Sequence, residues 1–368
     1  MFNNIYAGKK IFLTGHTGFK GSWLSSWLLS LGADVAGFSL DVPTSPSHFQ
    51  CLGLESKMKN YFGDVRDGKA VKKAMSEFAP DMVFHLAAQA LVRKSYEEPT
   101  ATFETNILGT MNVLEAMRSV PSVGAAVIIT SDKCYRNDEW VWGYRETDHL
   151  GGADPYSASK GCAEIVAHSY FQSFFGDGPA CATVRAGNVI GGGDWAADRI
   201  VPDCARAWAQ GRAVEIRNPL STRPWQHVLE PLSGYLWTGA QLWERTVNGP
   251  NNPEGQAYNF GPAADVNNTV EEVALGLMEY WPDFILNIHR PENNAVRESA
   301  LLKLCCDKAL ADLKWKATLD FRETIAMTAL WYREFYKNPS ADIWKLTLGQ
   351  IGEYCEKARA RDLEWSRK

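Results

Sequence analysis

Two short stretches carry the side chains best placed to do chemistry. In the first, Thr130-Ser131-Asp132-Lys133 sets hydroxyls, a carboxylate and an ammonium in consecutive positions after the apolar run Ala125 to Ile129. In the second, Asp154-Pro155-Tyr156-Ser157-Ala158-Ser159-Lys160, a proline opens a helical stretch. Tyr156 and Lys160, four apart, therefore share one helical face, one turn from each other. A phenol alone titrates near ~10, but a neighbouring cation favours the phenolate and makes tyrosine a usable base near neutral pH. Ser131 is placed to share the substrate hydroxyl. A Tyr-x-x-x-Lys pair by itself is equally a solvated helical pair. The serine at a strand end and a glycine loop upstream give it weight.

The elements that must position these groups read as alternating strands and helices. Lys10 to Thr14 is a short buried strand running into Gly15-His16-Thr17-Gly18-Phe19-Lys20-Gly21, followed by a helix with apolar residues at Trp23, Leu24, Trp27, Leu28 and Leu31. Gly15 permits the tight turn, Gly18 lets a pyrophosphate approach the backbone, and Gly21 allows helix and sheet to pack closely. Gly32 ends the helix. Asp34 to Leu40 predicts a second strand finishing at Asp41, whose carboxylate would accept adenosine ribose hydroxyls and favour NAD over NADP. Ser39 competes for that position, and a plain loop aspartate is the alternative. A third strand precedes Gly63-Asp64-Val65, Asp67 caps a helix to Phe78, and Asp81 to His85 is a fourth strand. It leads into Leu86-Ala87-Ala88-Gln89, whose small residues suit either a cofactor or simple close packing. Pro99 to Ser119 reads as one long helix with apolar coverage wide enough to meet another protomer, Tyr156 to about Phe175 as another, and Ala180 to Arg185 as a sixth strand.

From Arg185 the character changes to glycine-rich, aromatic loops that carry Asn188, Arg199 and Arg223 beside Trp195 and Trp225. Arginines next to tryptophans suit a nucleotide diphosphate and its base, by bidentate pairing and stacking, and equally a surface where arginines cover buried rings. Tyr258-Asn259-Phe260 reads as a strand returning to the first sheet. The expected division is a dinucleotide-binding domain over 1–185, with returning segments near 225–262, and a smaller, discontinuous lobe over 186–368. Further helices are expected from Thr269 to Tyr280, from Asp307 to Leu313, and over 320–337 and 341–360. The tryptophan-bearing loop Arg136 to Gly152 is long enough to cover a site.

At 368 residues, 45% hydrophobic and 22% charged, the chain has room for such an arrangement, and its net charge of -5 argues against a polyanion-coating nucleic-acid binder. The eight cysteines show no Cys-x-x-Cys spacing and no histidine pairs nearby. They read as reduced thiols with neither a zinc site nor a disulfide framework. No signal-like start and no long apolar run is seen, so a cytoplasmic protein is expected.

Together the glycine spacing at 15, 18 and 21, Ser131, Tyr156, Lys160 and the segment Thr105 to Thr110 resemble the short-chain dehydrogenase/reductase superfamily in its extended, sugar-nucleotide-modifying branch. Thr130 to Tyr135, Glu139 to Glu146 and Asn188 to Asp203 look like the nucleotide-sugar 4,6-dehydratases, and within them the branch that handles CDP-glucose. Relatives acting on dTDP- and GDP-sugars usually show Asp-Glu where this chain has Asp132-Lys133. The resemblance implies a doubly wound parallel α/β sheet of the Rossmann type with a smaller substrate lobe. It implies retained NAD held by Gly15, His16, Thr17, Gly18, Phe19, Lys20, Gly21, Asp41, Asp64, Val65, Leu86, Ala87, Ala88, Gln89, Asn106, Thr130, Tyr156, Lys160 and Arg185. CDP-glucose would lie against Asn188, Arg199 and Arg223, with Arg297 to Leu304 a further candidate. Ser131, Asp132, Lys133, Tyr156 and Lys160 would carry the catalysis, in a homodimer or dimer of dimers with no metal and no membrane, supplying deoxysugar precursors such as those of O-antigen. Within this group Asp132 would be the acid for O6 and Lys133 the base at C5; a lysine that merely pairs with Asp132 or a phosphate is the alternative. A nucleotide-sugar 4-epimerase would share the loop, Tyr156 and Lys160 but has no need of an acid-base pair beside Ser131. A non-catalytic NAD(P)-sensing protein would be expected to lose Tyr156 or Lys160.

Overall fold

The computed structural model describes residues 1–176, 178–216, 218–248, 255–263, 266–281, 285–288 and 302–367. Arg297 to Leu301 of the candidate pocket segment lie outside them. Seven strands, β1 (Lys10–Thr14), β2 (Asp34–Ser39), β3 (Lys59–Phe62), β4 (Met82–His85), β5 (Ala125–Ile129), β6 (Ala180–Ala186) and β7 (Gln256–Phe260), form one sheet. Its order is β7-β6-β5-β4-β1-β2-β3, and every pairing is parallel. Because β1 pairs with both β2 and β4, the chain winds outward in both directions from that point and leaves a crevice at the carboxyl ends of the two strands.

Both faces of the sheet are covered, so its central strands are apolar throughout rather than alternating. All five residues of β5 are buried. In β1, Ile11 and Leu13 join the core with the helices Phe19–Ser30 and Leu229–Asn248, whereas Phe12 points to the opposite face, among residues of Gly68–Phe78 and Gly109–Arg118.

Most helices fall where expected, with two differences. The stretch from Pro99 to Arg118 is helical throughout, but Glu104–Leu108 forms a wider π turn in its middle, the kind of local widening often found at functional sites. The twenty-residue helix Leu229–Asn248 has no counterpart in the sequence reading. Pro231, Gly234 and Gly239 suggest a loop there, yet a first-turn proline is compatible with a helix and both glycines serve packing. A Cβ on Gly234 would lie 2.4 Å from the Phe260 ring, and one on Gly239 would lie 2.6 Å from the Tyr6 hydroxyl.

The remainder forms the second lobe, with the helices Ile200–Ala209 and Val270–Met278 and three two-stranded ladders: Val189–Ile190 with Gln226–His227, Thr222–Arg223 with Asn268–Thr269, and Val214–Ile216 with Leu286–Ile288. Its C-terminal helices return to the first layer, where Tyr354 meets Trp27 edge-on and Trp365 stacks on Phe2 at 5.2 Å. Residues after 186 thus line both parts of the fold.

Candidate active site

The glycine loop and the segment after β4 meet at the crevice. Gly15 has φ +76°, and a Cβ there would stand 2.7 Å from the backbone nitrogen of Ala87, so only glycine lets the two loops touch. A Cβ on Gly21 would lie 2.1 Å from the Gly15 carbonyl oxygen. Gly18, the helix N-cap, has nothing nearer than 3.5 Å and keeps an open face. The His16 ring turns inward beneath β2, its Nδ1 2.8 Å from Ser39 Oγ, and burial lowers it to about 4, so it stays neutral. Only the main chain of His16 is left to face a cofactor. Thr17 donates its hydroxyl to the Asp41 carbonyl at 2.6 Å, while Asp41 itself is exposed two residues past the end of β2.

The chain leaves β5 through Ser131, which caps the short turn Asp132–Cys134 by accepting from the Lys133 N–H at 3.2 Å. Ser131 donates its hydroxyl to Asp132 Oδ1 at 3.0 Å. Asp154 caps the helix Pro155–Phe174 by accepting from the Ser157 N–H, which fixes Tyr156 in the first turn and Lys160 one turn on, both buried. Burial pushes Tyr156 up to about 12; Ser131 draws it back, Asp132 adds to the rise and Arg199 opposes it. Desolvation is the largest influence on the Tyr156 phenol and outweighs the opposing Ser131 and Arg199. Burial lowers Lys160 to about 8, opposed by Glu164 and Cys134, and its ammonium makes no hydrogen bond or ion pair among the described residues. Lys133 is half-buried, and its ammonium does not pair with Asp132 or with any other described residue.

Beneath these groups lies a buried polar network absent from the sequence reading. Glu164, one turn beyond Lys160, accepts from Thr130 Oγ1, from Thr183 Oγ1 at 2.7 Å and from Arg185 Nε and Nη2 at 2.9 and 2.8 Å. Arg185 Nη1 donates to the Tyr135 hydroxyl at 2.6 Å and to the Glu146 carbonyl at 3.1 Å. Tyr135 donates onward to Asn259 Oδ1 at 2.8 Å, and the Asn259 N–H donates to the Glu146 carboxylate at 2.8 Å. Burial would raise Glu164, but Arg185 and the two threonine hydroxyls hold it below the usual carboxylate value. Arg185 is 3% exposed with its guanidinium spent inside the protein, so its expected part in cofactor binding is corrected to that of an internal buttress. The Thr130 hydroxyl likewise turns to Glu164 rather than toward the crevice. The Asn106 side chain is also committed: Oδ1 accepts from the Gln89 N–H at 2.8 Å, and Nδ2 donates to the Gln89 carbonyl at 3.0 Å and to Ser159 Oγ at 2.8 Å. It positions the loop after β4 instead of touching a cofactor.

The second lobe closes on the same point. A Cβ on Gly187 would stand 3.1 Å from Asp132 Oδ2 and 3.8 Å from Pro224, which brings the strand of Arg223 to the end of β5. A shallow, open cleft there is lined by Gly187, Pro224, Gln226, Gly261 and Lys303, among others. Arg199 is tied to Asp194 at 2.8 Å and is electrostatically coupled to Tyr156. Lys20, 5.9 Å from the Tyr235 ring, is coupled to Arg199, Asp132 and Lys160. Half-buried Asn188 lies in the loop between β6 and the ladder strand Val189–Ile190, its carbonyl accepting from the Gln226 N–H at 3.1 Å. Asp64 is bound to Arg66 at 2.6 Å, and Val65 packs against Gly109, both at the far side of the crevice beyond β3.

Residues 12–328 match the family model described as GDP-mannose 4,6 dehydratase. The chain is 47% identical to the CDP-glucose 4,6-dehydratase of Salmonella typhimurium over 91% of its own length and 93% of that protein, and 26% identical to the dTDP-glucose 4,6-dehydratase of Xanthomonas campestris over 87% and 92%. The chain belongs to the GDP-mannose 4,6-dehydratase family. Among solved structures, the UDP-glucose 4-epimerase of Thermotoga maritima with UDP-glucose superposes with a TM-score of 0.73 at 22% identity, covering 89% of this chain and 99% of that one. The UDP-glucose 4-epimerase of Thermus thermophilus with NAD does so with 0.70 at 24%, covering 88% and 99%. These two likenesses establish the shared fold.

For this member of the family the residues present fit NAD: the open face of Gly18, the helix N-terminus behind it and the uncommitted Lys160 ammonium converge on the crevice between β1 and β4. Sequence reasoning missed Glu164, Tyr135, Glu146 and Asn259. One signal was available: Arg185 is a lone charge in the otherwise apolar β6, and Glu164 continues the i, i+4 row of Tyr156 and Lys160. A buried arginine needs a carboxylate, and that row supplies it.

Proposed function

We propose that this chain is an NAD-dependent hydro-lyase that converts CDP-glucose to CDP-4-dehydro-6-deoxyglucose. The observation that supports the reading is the Ser131 hydroxyl at the end of β5, which donates to Asp132, the group for elimination, close to the buried phenol of Tyr156, the group for oxidation. A 4-epimerase needs the group for oxidation and not the one for elimination. The 47% identical relative named a CDP-glucose 4,6-dehydratase and the Asp132-Lys133 pair support CDP-glucose over other nucleotide sugars.

Bound NAD supplies the hydride acceptor for C4, the hydride returned to C6, and a positive ring charge. Tyr156 takes the C4 hydroxyl proton while Ser131 holds the oxygen and Lys160 keeps a positive charge behind the phenol. The ketone so formed makes the C5 proton acidic. Lys133, acting as the neutral amine, removes it and becomes the ammonium, and Asp132, acting as the carboxylic acid, gives its proton to the departing O6, which leaves as water. After hydride reaches C6, a proton returns to C5. Arg199 and Arg223 hold the diphosphate, and Asp132 stays within reach of C6 because Gly187 leaves room beside it.

The helices Pro99 to Arg118 and Pro155–Phe174 pair across a homodimer in this reading. Supporting it, Leu108, Ile165 and Phe174 on these helices are 43%, 59% and 49% exposed. All eight cysteines are free thiols, which supports a reducing, cytoplasmic setting, and among the described residues no helix is long and apolar enough to cross a membrane. Incubating the purified protein with NAD and CDP-glucose tests the activity. A keto product without net NADH supports it, and CDP-hexose epimers without a ketone oppose it.

A further inference from the structure

Three elements meet at the crevice: the exit of β5 with Ser131 and Asp132, the helix bearing Tyr156 and Lys160, and the loop Arg136 to Gly152, whose Gly151 N–H donates to the Cys134 carbonyl at 2.7 Å. One buried carboxylate adds a side-chain link that reaches all three, directly or through Arg185. Glu164 projects from the catalytic helix, accepts the hydroxyl of Thr130 immediately before Ser131, and clasps Arg185, which in turn holds Tyr135 at the start of the loop and the Glu146 carbonyl within it. Resting on the 4,6-dehydratase reading, we propose that Glu164 is a positioning residue that sets Ser131 and Asp132 against Tyr156, with Thr130 as its contact to the catalytic strand and Arg185 as its contact to the covering loop.

Physical grounds favour positioning over bare stability. A buried carboxylate–guanidinium pair costs about as much in lost hydration as it returns, so its replacement by apolar residues is often neutral for folding. What such a pair does supply is direction: the guanidinium fork fixes its partner's orientation, and each carboxylate oxygen here meets one threonine hydroxyl and one arginine nitrogen. The Thr130 hydroxyl also lies 3.4 Å from the Val184 carbonyl on β6, so the point where β5 gives way to Ser131 is held from two sides. Displacing reacting groups by about 1 Å costs roughly 100-fold in rate. The negative charge of Glu164 also opposes the loss of the Lys160 proton.

The test uses the full chain loaded with NAD and mixed rapidly with CDP-glucose, following transient reduction of the nicotinamide at 340 nm and steady-state ketone formation. Thr130→Val keeps the Glu164–Arg185 pair and removes only the contact to the strand. It should slow the first hydride transfer by about 10-fold, with KM for CDP-glucose within about threefold, and Thr130→Ser should recover most of the loss. Glu164→Gln should lower kcat by about 100-fold. Thr130→Val decides the matter if the unpaired Arg185 keeps Glu164→Gln from folding, as judged by circular dichroism. Folded Thr130→Val oxidising CDP-glucose at the wild-type rate, or losing only thermal stability, would overturn the proposal. Wild-type protein forming no ketone would instead overturn the underlying 4,6-dehydratase reading.

Discussion

Arg185 and Glu164 meet in a two-pronged pair, Nε and Nη2 lying 2.9 and 2.8 Å from separate carboxylate oxygens, with each residue at 3% exposure. The pair spans β6 and the helix of Tyr156, and the catalytic turn of β5 lies between them. Chemistry and scaffold are therefore not separate layers here: the ions that fasten the sheet to the helix also aim the groups that touch substrate.

Lys133 has no ionic partner among the described residues, which favours its role as the C5 base over a structural pairing with Asp132. In Lys133→Ala the enzyme should still reduce its NAD on meeting CDP-glucose, while exchange of the C5 hydrogen with deuterated solvent slows by about 100-fold or more. Native exchange in that variant would remove lysine from the base position.

We propose that cofactor choice rests on the loop after β2. Ser39 turns its hydroxyl to His16, so exposed Asp41 is the side chain left to meet the ribose. NAD should bind more tightly than NADP, and Asp41→Ser should narrow that preference by roughly fivefold to tenfold, the scale of one partly screened like-charge contact. Equal use of the two cofactors by the wild-type protein contradicts this role.

Lys20 gives a pH signature. Burial, then Arg199, draws it down to about 8, with Asp132 opposing. Below that value it is charged, and as pH rises through it the charge is lost, so NAD affinity should fall across that window. Lys20→Met should bind NAD more weakly at pH 7 and show a shallower falling limb, the remainder belonging to Lys160. Because Lys160 also titrates near about 8, its effect should remain in the rate of hydride transfer. A variant with the wild-type affinity profile would place Lys20 away from the phosphates.

Glu230 gives a second signature, in stability. Burial pushes it up to about 7, although it accepts from the Thr318 N–H at 2.9 Å and from the Tyr354 hydroxyl at 2.9 Å. Between the ordinary glutamate value and 7 the folded protein keeps a proton that the unfolded chain has released. Stability from this group is thus full at low pH and falls as pH rises, by up to about 1.4 kcal/mol per unit, levelling above 7. Unfolding midpoints measured across that range should show the slope in the wild type and not in Glu230→Gln; the same slope in both would assign it elsewhere.

The alternation of strands and helices was legible because both sides of a parallel sheet must be covered, which writes apolar runs and amphipathic periods directly into the chain. The glycine loop and the Tyr156–Lys160 pair were legible for a similar reason, since spacing alone places them. The helix Leu229–Asn248 was hidden because its glycines serve neighbours distant in sequence, Phe260 and Tyr6. Arg185 and Asn106 were misread because a polar residue near a site looks the same in sequence whether it faces the ligand or braces what does. Only the partners decide, and Glu164 and Ser159 are contacts made by folding.

In this mechanism one site oxidises C4, eliminates across C5 and C6, and returns the same hydride. CDP-glucose carrying deuterium at C4 tests it directly, with the product read by NMR and mass spectrometry. The account predicts a 4-keto-6-deoxy product with the deuterium on C6, a solvent hydrogen at C5 and no net NADH. Deuterium retained at C4 in a CDP-hexose, or released to solvent without a ketone, would contradict it.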